Sequence, residues 1–245
     1  MQLIAIGACM GAPAVFADLF DKTSVVRSMK ELQEQLTKDS VVMYGGGEDI
    51  HPSLYNEPKL PQTYCGSAPS SRDLLEFHAV QLVRDKGAIN YGICRGLQMI
   101  HVALGGKLFQ HVDNHNRDHR MFLRTTVVEN SLYPWTDELK EFYDKYPWGF
   151  GEDPYTTSAH HQLIDPTASP EDLSILANAS EAIHKIRSHN NNLTTGTREV
   201  EVAYYKMSNS IGVQGHPEFD YKDSPYQLYC RQLMKEVMYV HSQQH

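Results

Sequence analysis

Cysteine is scarce in this 245-residue chain, and the placement of the few present excludes two classes of protein. Cys9, Cys65, Cys94 and Cys230 are too sparse to staple a small secreted fold, and none stands in a CxxC pair that would hold zinc. Positive charge is also in deficit. Lys and Arg number 22 against 30 Asp and Glu, a formal net charge of −8, which argues against nonspecific binding to nucleic acid or to anionic membranes. No apolar stretch is long enough to span a bilayer, and tandem repeats and low-complexity tracts are missing. Met1 to Ala17 is apolar and Ala14-Val15-Phe16-Ala17 resembles a cleavage site, but no basic n-region precedes it. Leu3-Ile4-Ala5-Ile6-Gly7 is read instead as a first core strand. The remaining composition, 41% hydrophobic and 21% charged, is that of a globular protein, and one α/β domain over residues 1–245 with a substantial core is expected.

Three runs carry chemistry. The first is Tyr91-Gly92-Ile93-Cys94-Arg95-Gly96-Leu97-Gln98. Ala88, Ile89 and Tyr91 read as a buried strand and Leu97 to Leu104 as a helix, so Cys94 occupies a glycine-flanked strand-to-helix elbow. Such a turn puts the sulfur at a helix N-terminus, where free N–H groups and the helix dipole favour a thiolate. The second run is Gly212-Val213-Gln214-Gly215-His216-Pro217-Glu218. His216 and Glu218 are two apart and, in an extended segment, leave the same face. A carboxylate there orients the imidazole and stabilises its protonated form. The third is the strand-like Val41-Val42-Met43-Tyr44, ending in Gly45-Gly46-Gly47-Glu48-Asp49. Glycines at a strand end let backbone N–H groups approach a ligand, so an oxyanion hole is expected from Gly46 or Gly47 together with the Arg95 amide. No G-K-[ST] follows these glycines, which argues against a phosphate loop.

Together these runs resemble the class I glutamine amidotransferase-like hydrolases, closest to the gamma-glutamyl-gamma-aminobutyrate hydrolase branch (peptidase family C26). Further matching runs are Ile50-His51-Pro52-Ser53-Leu54-Tyr55, Arg72-Asp73-Leu74-Leu75-Glu76, Val102-Ala103-Leu104-Gly105-Gly106-Lys107-Leu108, Gln110-His111, Ser158-Ala159-His160-His161-Gln162 and Glu181-Ala182-Ile183. The resemblance implies an α/β, flavodoxin-like fold: a mostly parallel central sheet flanked by helices, with an antiparallel C-terminal extension. It implies a Cys94-His216-Glu218 triad that cleaves a gamma-glutamyl amide through a thioester, with Gln98, Ser158, His160 and Gln162 lining the substrate pocket. Neither metal nor cofactor is implied. Gly215 stands where the family usually has Trp, and Thr157 where Asn is common, which leaves the departing amine open.

Strand-like and helix-like runs alternate through residue 104, as in a parallel α/β sheet. Met29, Leu32 and Leu36 mark one helix face and Leu75, Ala79, Leu82 and Val83 another. Later strands are expected at Arg124–Val128, Leu173–Leu176, Ala182–Ile186 and Val200–Tyr205. A last helix starts at the Ser224-Pro225 cap, with Tyr226, Tyr229, Leu233, Val237 and Val240 as its core face. Tyr133 to Tyr155, with Tyr-Pro-Trp twice, reads as an addition that covers the site, meets a partner or packs as a surface excursion. Ser188 to Arg198 reads as a polar loop.

His111, Asp113 and His115 would share one strand face with His119 near, an acceptable zinc set; the same stretch reads as a polar hairpin, and no metal is assigned. His160 and His161 are adjacent, so on a strand they point opposite ways. A cysteine nucleophile needs a reducing compartment, which makes the cytoplasm the expected location. The expected partner is a small gamma-glutamyl amide or glutamine. Two other readings stand beside the free-standing hydrolase: a glutaminase chain that passes ammonia to a separate synthetase chain, and a binding module that retains the fold without catalysis. A homodimer is left open.

Overall fold

Strands buried on both faces are written as unbroken apolar runs, because both sides of the sheet are covered. The computed structural model describes residues 1–7, 9, 11–112, 122–127, 155–179, 186–187, 193–194 and 199–244, of which 122–127, 155–158, 179, 186–187, 193–194 and 225 are described by backbone alone. The elements are β1 (Gln2–Ile6), α1 (Ala12–Phe16), β2 (Lys22–Val26), α2 (Met29–Gln35), β3 (Ser40–Tyr44), α3 (Ser71–Asp85), β4 (Ile89–Ile93), α4 (Arg95–Ala103), β5 (Leu108–Phe109), β6 (His111–Val112), β7 (Phe122–Val127), β8 (Tyr155–Ser158), β9 (Leu163–Ile164), β10 (Leu173–Ala179), β11 (Ile186–Arg187), β12 (Leu193–Thr194), β13 (Val200–Tyr205), β14 (Ser210–Val213) and α5 (Pro225–Gln243).

The main sheet has the order β2-β1-β3-β4-β14-β13-β10-β7-β8. The block from β2 to β14 is parallel throughout. From β13 outward every pairing is antiparallel. The fold class is the one expected, with the antiparallel part drawn from the C-terminal half of the chain and β14 rejoining the parallel block. Alternation sorts the core into two layers. Leu3, Val41, Met43, Ile89, Tyr91, Ile211 and Val213 face α1 and α5. Ile4, Ile6, Val42 and Tyr44 face α2, α3 and α4. The C-terminal helix begins where expected: Ser224 accepts from Gln227 N–H, and Tyr226, Tyr229, Leu233, Val237 and Val240 are buried. The first strand lies where Leu3–Gly7 was assigned, fully buried at Leu3, Ile4 and Ala5.

Three stretches singled out in the sequence lie largely outside the described residues. Of the zinc-like set only His111 is described, at β6; Asp113, His115 and His119 are not. Of Tyr133 to Tyr155 only the last residue is described, and of Ser188 to Arg198 only β12. The strand assigned to Ala182–Ile186 is described only at β11. Among the described residues no helix is long and apolar enough to cross a membrane, and no group of three or more His, Cys, Asp and Glu is placed to hold a metal.

The feature that positions the site is the seating of α4 on the sheet. A Cβ on Gly92 would lie 2.4 Å from the Gly96 carbonyl carbon, one on Gly96 2.2 Å from the Tyr44 carbonyl oxygen, and one on Gly212 2.7 Å from Leu97 Cβ. Glycine at these positions lets the helix backbone reach the strands directly. The neighbour at Gly92 is backbone and cannot rotate away, so Gly92→Ala is expected to destabilise by about 1–3 kcal/mol, the usual cost of overpacking. Urea unfolding of the variant measures this, and a wild-type midpoint would refute the close-approach argument.

Candidate active site

Cys94 sits between β4 and α4 with φ 53° and ψ −110°, a positive φ on a residue that is not glycine. Such strain is held only where the surroundings over-determine it. Here they do: the Cys94 N–H donates to the Val213 carbonyl at 2.7 Å, and the glycine contacts fix the helix behind it. The first intrahelical bond of α4 runs from Gln98 N–H to the Cys94 carbonyl at 3.2 Å. The amides of Arg95, Gly96 and Leu97 therefore have no acceptor within the helix, as at any helix start. The elbow expected from the sequence is present, with the helix beginning at Arg95 rather than Leu97.

Parallel pairing of β14 with β4 aligns Gly212 with Gly92 and Val213 with Ile93. The next residues along each strand, Gln214 and Cys94, are thereby neighbours, and Gln214 Nε2 donates to Cys94 Sγ at 3.5 Å. Two residues further, His216 Nδ1 meets Glu218 Oε1 at 2.8 Å. The geometry behind that contact differs from the expectation: Pro217–Phe219 is a 3-10 turn, not an extended segment, and the turn brings the carboxylate back to the ring. Phe219 stacks on the imidazole at 4.6 Å between centroids. On another side lies Gly46, where a Cβ would be 2.6 Å from His216 Cε1. Gly46 is thus needed for room. Gly47 is needed for conformation, with φ 146°.

Burial pushes the His216 imidazole toward its neutral form. The charge on Cys94, the hydrogen bond to Cys94 and the Glu218 carboxylate oppose this and together raise it from 6.5 to about 10. The pair thus stabilises the fold fully below pH 6.5, and that contribution is lost as pH rises through about 10. The His101 side chain shows the opposite balance. Burial dominates there and lowers it to about 4, and Nδ1 contacts the Tyr205 hydroxyl at 2.7 Å. Its contribution is present above pH 6.5 and is lost as pH falls through about 4.

A cavity of about 220 Å³ adjoins the sulfur, lined by Gly47, Glu48, Asp49, Tyr64, Cys94, Arg95, Gln98, Ala159, His160, His161 and Gln162. A larger cavity, about 530 Å³, lies behind Glu218 between α1 and α5, and Cys94 is not among its lining residues. Chemistry, not size, identifies the smaller one as the candidate site. Gln98 lines it, but its Nε2 is committed to the Gln162 carbonyl at 2.9 Å and to Gln214 Oε1 at 3.2 Å, so it braces the floor as well. His160 is buried with Nδ1 3.1 Å from the Gln162 carbonyl. The Gln162 side-chain amide is buried with no partner among the described residues on either of its polar atoms, and it lines the cavity. Ser158 ends β8, and its side chain lies outside the described residues.

Some contacts escaped sequence reasoning. Gln214 belongs to a matching run, yet only the strand register shows it reaching the sulfur. At the mouth, His161 Nε2 contacts Asp49 Oδ2 at 3.0 Å, His161 Nδ1 contacts His111 Nδ1 at 3.2 Å, and the Tyr64 ring meets His161 edge-on. Nothing in the spacing of these residues announces the cluster. Arg95 is buried, its guanidinium bound by Asp73 and Glu76 of α3. Those carboxylates belong to the Arg72–Glu76 run noted in the sequence, and the capping box Ser70–Asp73 starts their helix.

Comparison with known proteins gives the family and the fold. The family model for peptidase C26 matches residues 4–218. The chain is 24% identical over 206 residues to the glutamine amidotransferase-like protein YvdE of Lactococcus lactis, covering 83% of this chain and 77% of that one. Among solved structures it resembles a glutamine amidotransferase from Thermotoga maritima, with a TM-score of 0.57 at 14% identity, covering 98% of this chain and 97% of that one. It also resembles a protein from Thermoplasma acidophilum described as part of a GMP synthase, with a TM-score of 0.56 at 15% identity, covering 99% and 95%. At these identities the two structures show a shared fold.

The account of His216 can be checked directly. Cys94→Ala removes both influences of the sulfur and leaves burial opposed by Glu218 alone. The ring is then expected to lose its proton at a lower pH than in the wild type, where it is raised to about 10, as followed by imidazole NMR on both proteins. An unchanged titration would contradict the assigned causes.

Proposed function

The chain belongs to the peptidase C26 family of class I glutamine amidotransferase-like proteins, hydrolases of amide bonds, and from that premise we propose that Cys94, His216 and Glu218 hydrolyse a gamma-glutamyl amide through a glutamyl thioester. The observation that carries this reading is the contact of Glu218 with His216 at 2.8 Å, with Cys94 near enough to help hold a proton on the ring, at the start of α4 beside a cavity with a buried glutamine amide that no described residue engages.

The steps follow from the geometry. The Cys94 sulfur adds to the side-chain carbonyl carbon. The charge that develops on the carbonyl oxygen is met by the Arg95 amide, free at the helix start, and by an amide of Gly46 or Gly47. His216, already carrying a proton, gives it to the departing nitrogen as the C–N bond breaks and the thioester forms. Water then attacks the thioester carbonyl and passes its proton to His216, and the C–S bond breaks to release the glutamate product and return the thiolate beside the protonated ring. Glu218 holds the ring orientation throughout. The Gln162 amide offers one donor pair and one acceptor to the glutamyl backbone substituents.

A second reading has its own motive. The chain shares its fold with a protein described as part of a GMP synthase, so a glutaminase that feeds a separate synthetase would use the same residues with glutamine as substrate.

Purified protein is expected to release glutamate from a panel of gamma-glutamyl amides, glutamine included, with no second chain added. Cys94→Ala should abolish the release. Glu218→Gln should lower kcat by up to about 10⁴-fold, the loss a serine triad shows for the same acid-to-amide change. Mass spectrometry of the products decides: no glutamate from any member of the panel, with the thiol intact, sinks the proposal, and release that requires a partner transfers it to the second reading.

A further inference from the structure

One side chain that plays no part in the chemistry above controls where two of its backbone donors point. Arg72, on the first turn of α3, donates from Nη2 to the Gly45 carbonyl at 3.2 Å and to the Gly46 carbonyl at 2.9 Å. The peptide bonds of this strand end are trans. In a trans peptide the carbonyl of one residue and the N–H of the next point in opposite directions. With the carbonyls of Gly45 and Gly46 both turned to Arg72, the N–H groups of Gly46 and Gly47 are turned away from it. Gly47 lines the cavity together with Cys94, whereas Arg72 is not among the lining residues. Successive N–H groups on one side of the chain make a concavity for an anion.

The guanidinium is itself held. Arg72 Nε donates to Glu76 Oε1 at 2.7 Å, and the other oxygen of the same carboxylate binds Arg95. Glu76 is fully buried, so its two oxygens join the two arms of the site: the glycine strand through Arg72, and the elbow through Arg95. Gly47 completes the seat. A Cβ there would lie 2.3 Å from Arg72 Nη1, so a side chain at this position would expel the guanidinium.

We propose that Arg72, anchored by Glu76, is a positioning residue that fixes the Gly46–Gly47 peptide groups with their N–H side toward Cys94, so that the oxyanion hole is formed before substrate arrives. The inference rests on the hydrolase reading and deepens it. It also explains why the Arg72-Asp73-x-x-Glu76 run and Arg95 occur together: they form one ion network whose product is the direction of two amides.

The test compares a step that builds an oxyanion with one that does not. Acylation of Cys94 by a gamma-glutamyl anilide places negative charge on a carbonyl oxygen. Alkylation by iodoacetamide displaces iodide from a saturated carbon and needs no such donor. Arg72 is about one-third exposed, with a side-chain exposure of 32%, and when it is replaced Glu76 keeps Arg95 as a partner. In Arg72→Met, kcat for the anilide is expected to fall about 10- to 100-fold, part of the 10²–10³ that a directly lost donor costs. KM should change by less than about threefold, and the iodoacetamide rate and its pH profile should stay as in wild type. Arg72→Lys, whose single ammonium reaches one carbonyl but cannot fork, should recover part of the loss. A role confined to stability would lower the melting temperature and alter alkylation and acylation together. Unchanged kcat in a folded Arg72→Met overturns the clamp and leaves the hydrolase reading intact. If Arg72→Met does not fold, Arg72→Lys decides, and wild-type kcat there overturns it. A wild-type protein that cleaves no gamma-glutamyl amide fails the underlying reading and takes the clamp with it.

Discussion

At the end of β4 the backbone turns by way of a residue that would rather not turn. Cys94 holds a positive φ, and what holds it there is the contact of α4 with the strands beneath, reached through Gly92, Gly96 and Gly212, and the hydrogen bond from Cys94 N–H to Val213. Every later property of the site follows from that junction. It leaves the Arg95 amide without an intrahelical acceptor. It sets Cys94 beside Gln214 through the β4–β14 register. Since β14 runs parallel to β4, its continuation delivers His216 on the same edge of the sheet, where open α/β sheets place their ligands.

Burial does not by itself decide the charge of an imidazole. His101 and His216 are both buried. Desolvation acts on each in the same direction, yet His101 is held at about 4 and His216 at about 10. The difference lies in the neighbours. At His101 the opposing push from Asp165 falls short of the cost of burial, whereas at His216 a sulfur and a carboxylate together exceed it. The other cysteines lie in different surroundings. Cys9, which has carbonyls for partners, is pushed up to about 11 by burial, and burial pushes Cys230 up as well. Cys94 alone among the four stands at a helix start beside an imidazole.

The candidate residues of the site were legible because they are chemically distinctive and locally punctuated. A cysteine flanked by glycines after an apolar run, a histidine two residues before a glutamate, and a glycine run at a strand end each carry a local signature. Cys94, His216, Glu218, Gly46 and Gly47 could be named on that basis. What surrounds them was less legible. Arg72 and Glu76 stand in the sequence only as part of a matching run, and their link to Gly45 and Gly46 depends on the placement of α3. The Asp49–His161–His111 contacts join residues from three parts of the chain with no common spacing. Gln98, read as a substrate contact, has its amide nitrogen taken up by the Gln162 carbonyl and Gln214 Oε1, a bracing role that the sequence did not announce.

Sequence alone determined which groups are available for catalysis and the local turns that present them, because strand, elbow and helix cap are short-range matters of φ, side-chain volume and periodicity. Only the tertiary structure decided that these groups meet. The convergence of Cys94 with His216, and of Arg72 with the Gly45 and Gly46 carbonyls, depends on strand order, on register and on the seating of α3 and α4. Those are set by the packing of two apolar layers on one sheet, a constraint shared among residues scattered over the whole chain and carried by no single run of it.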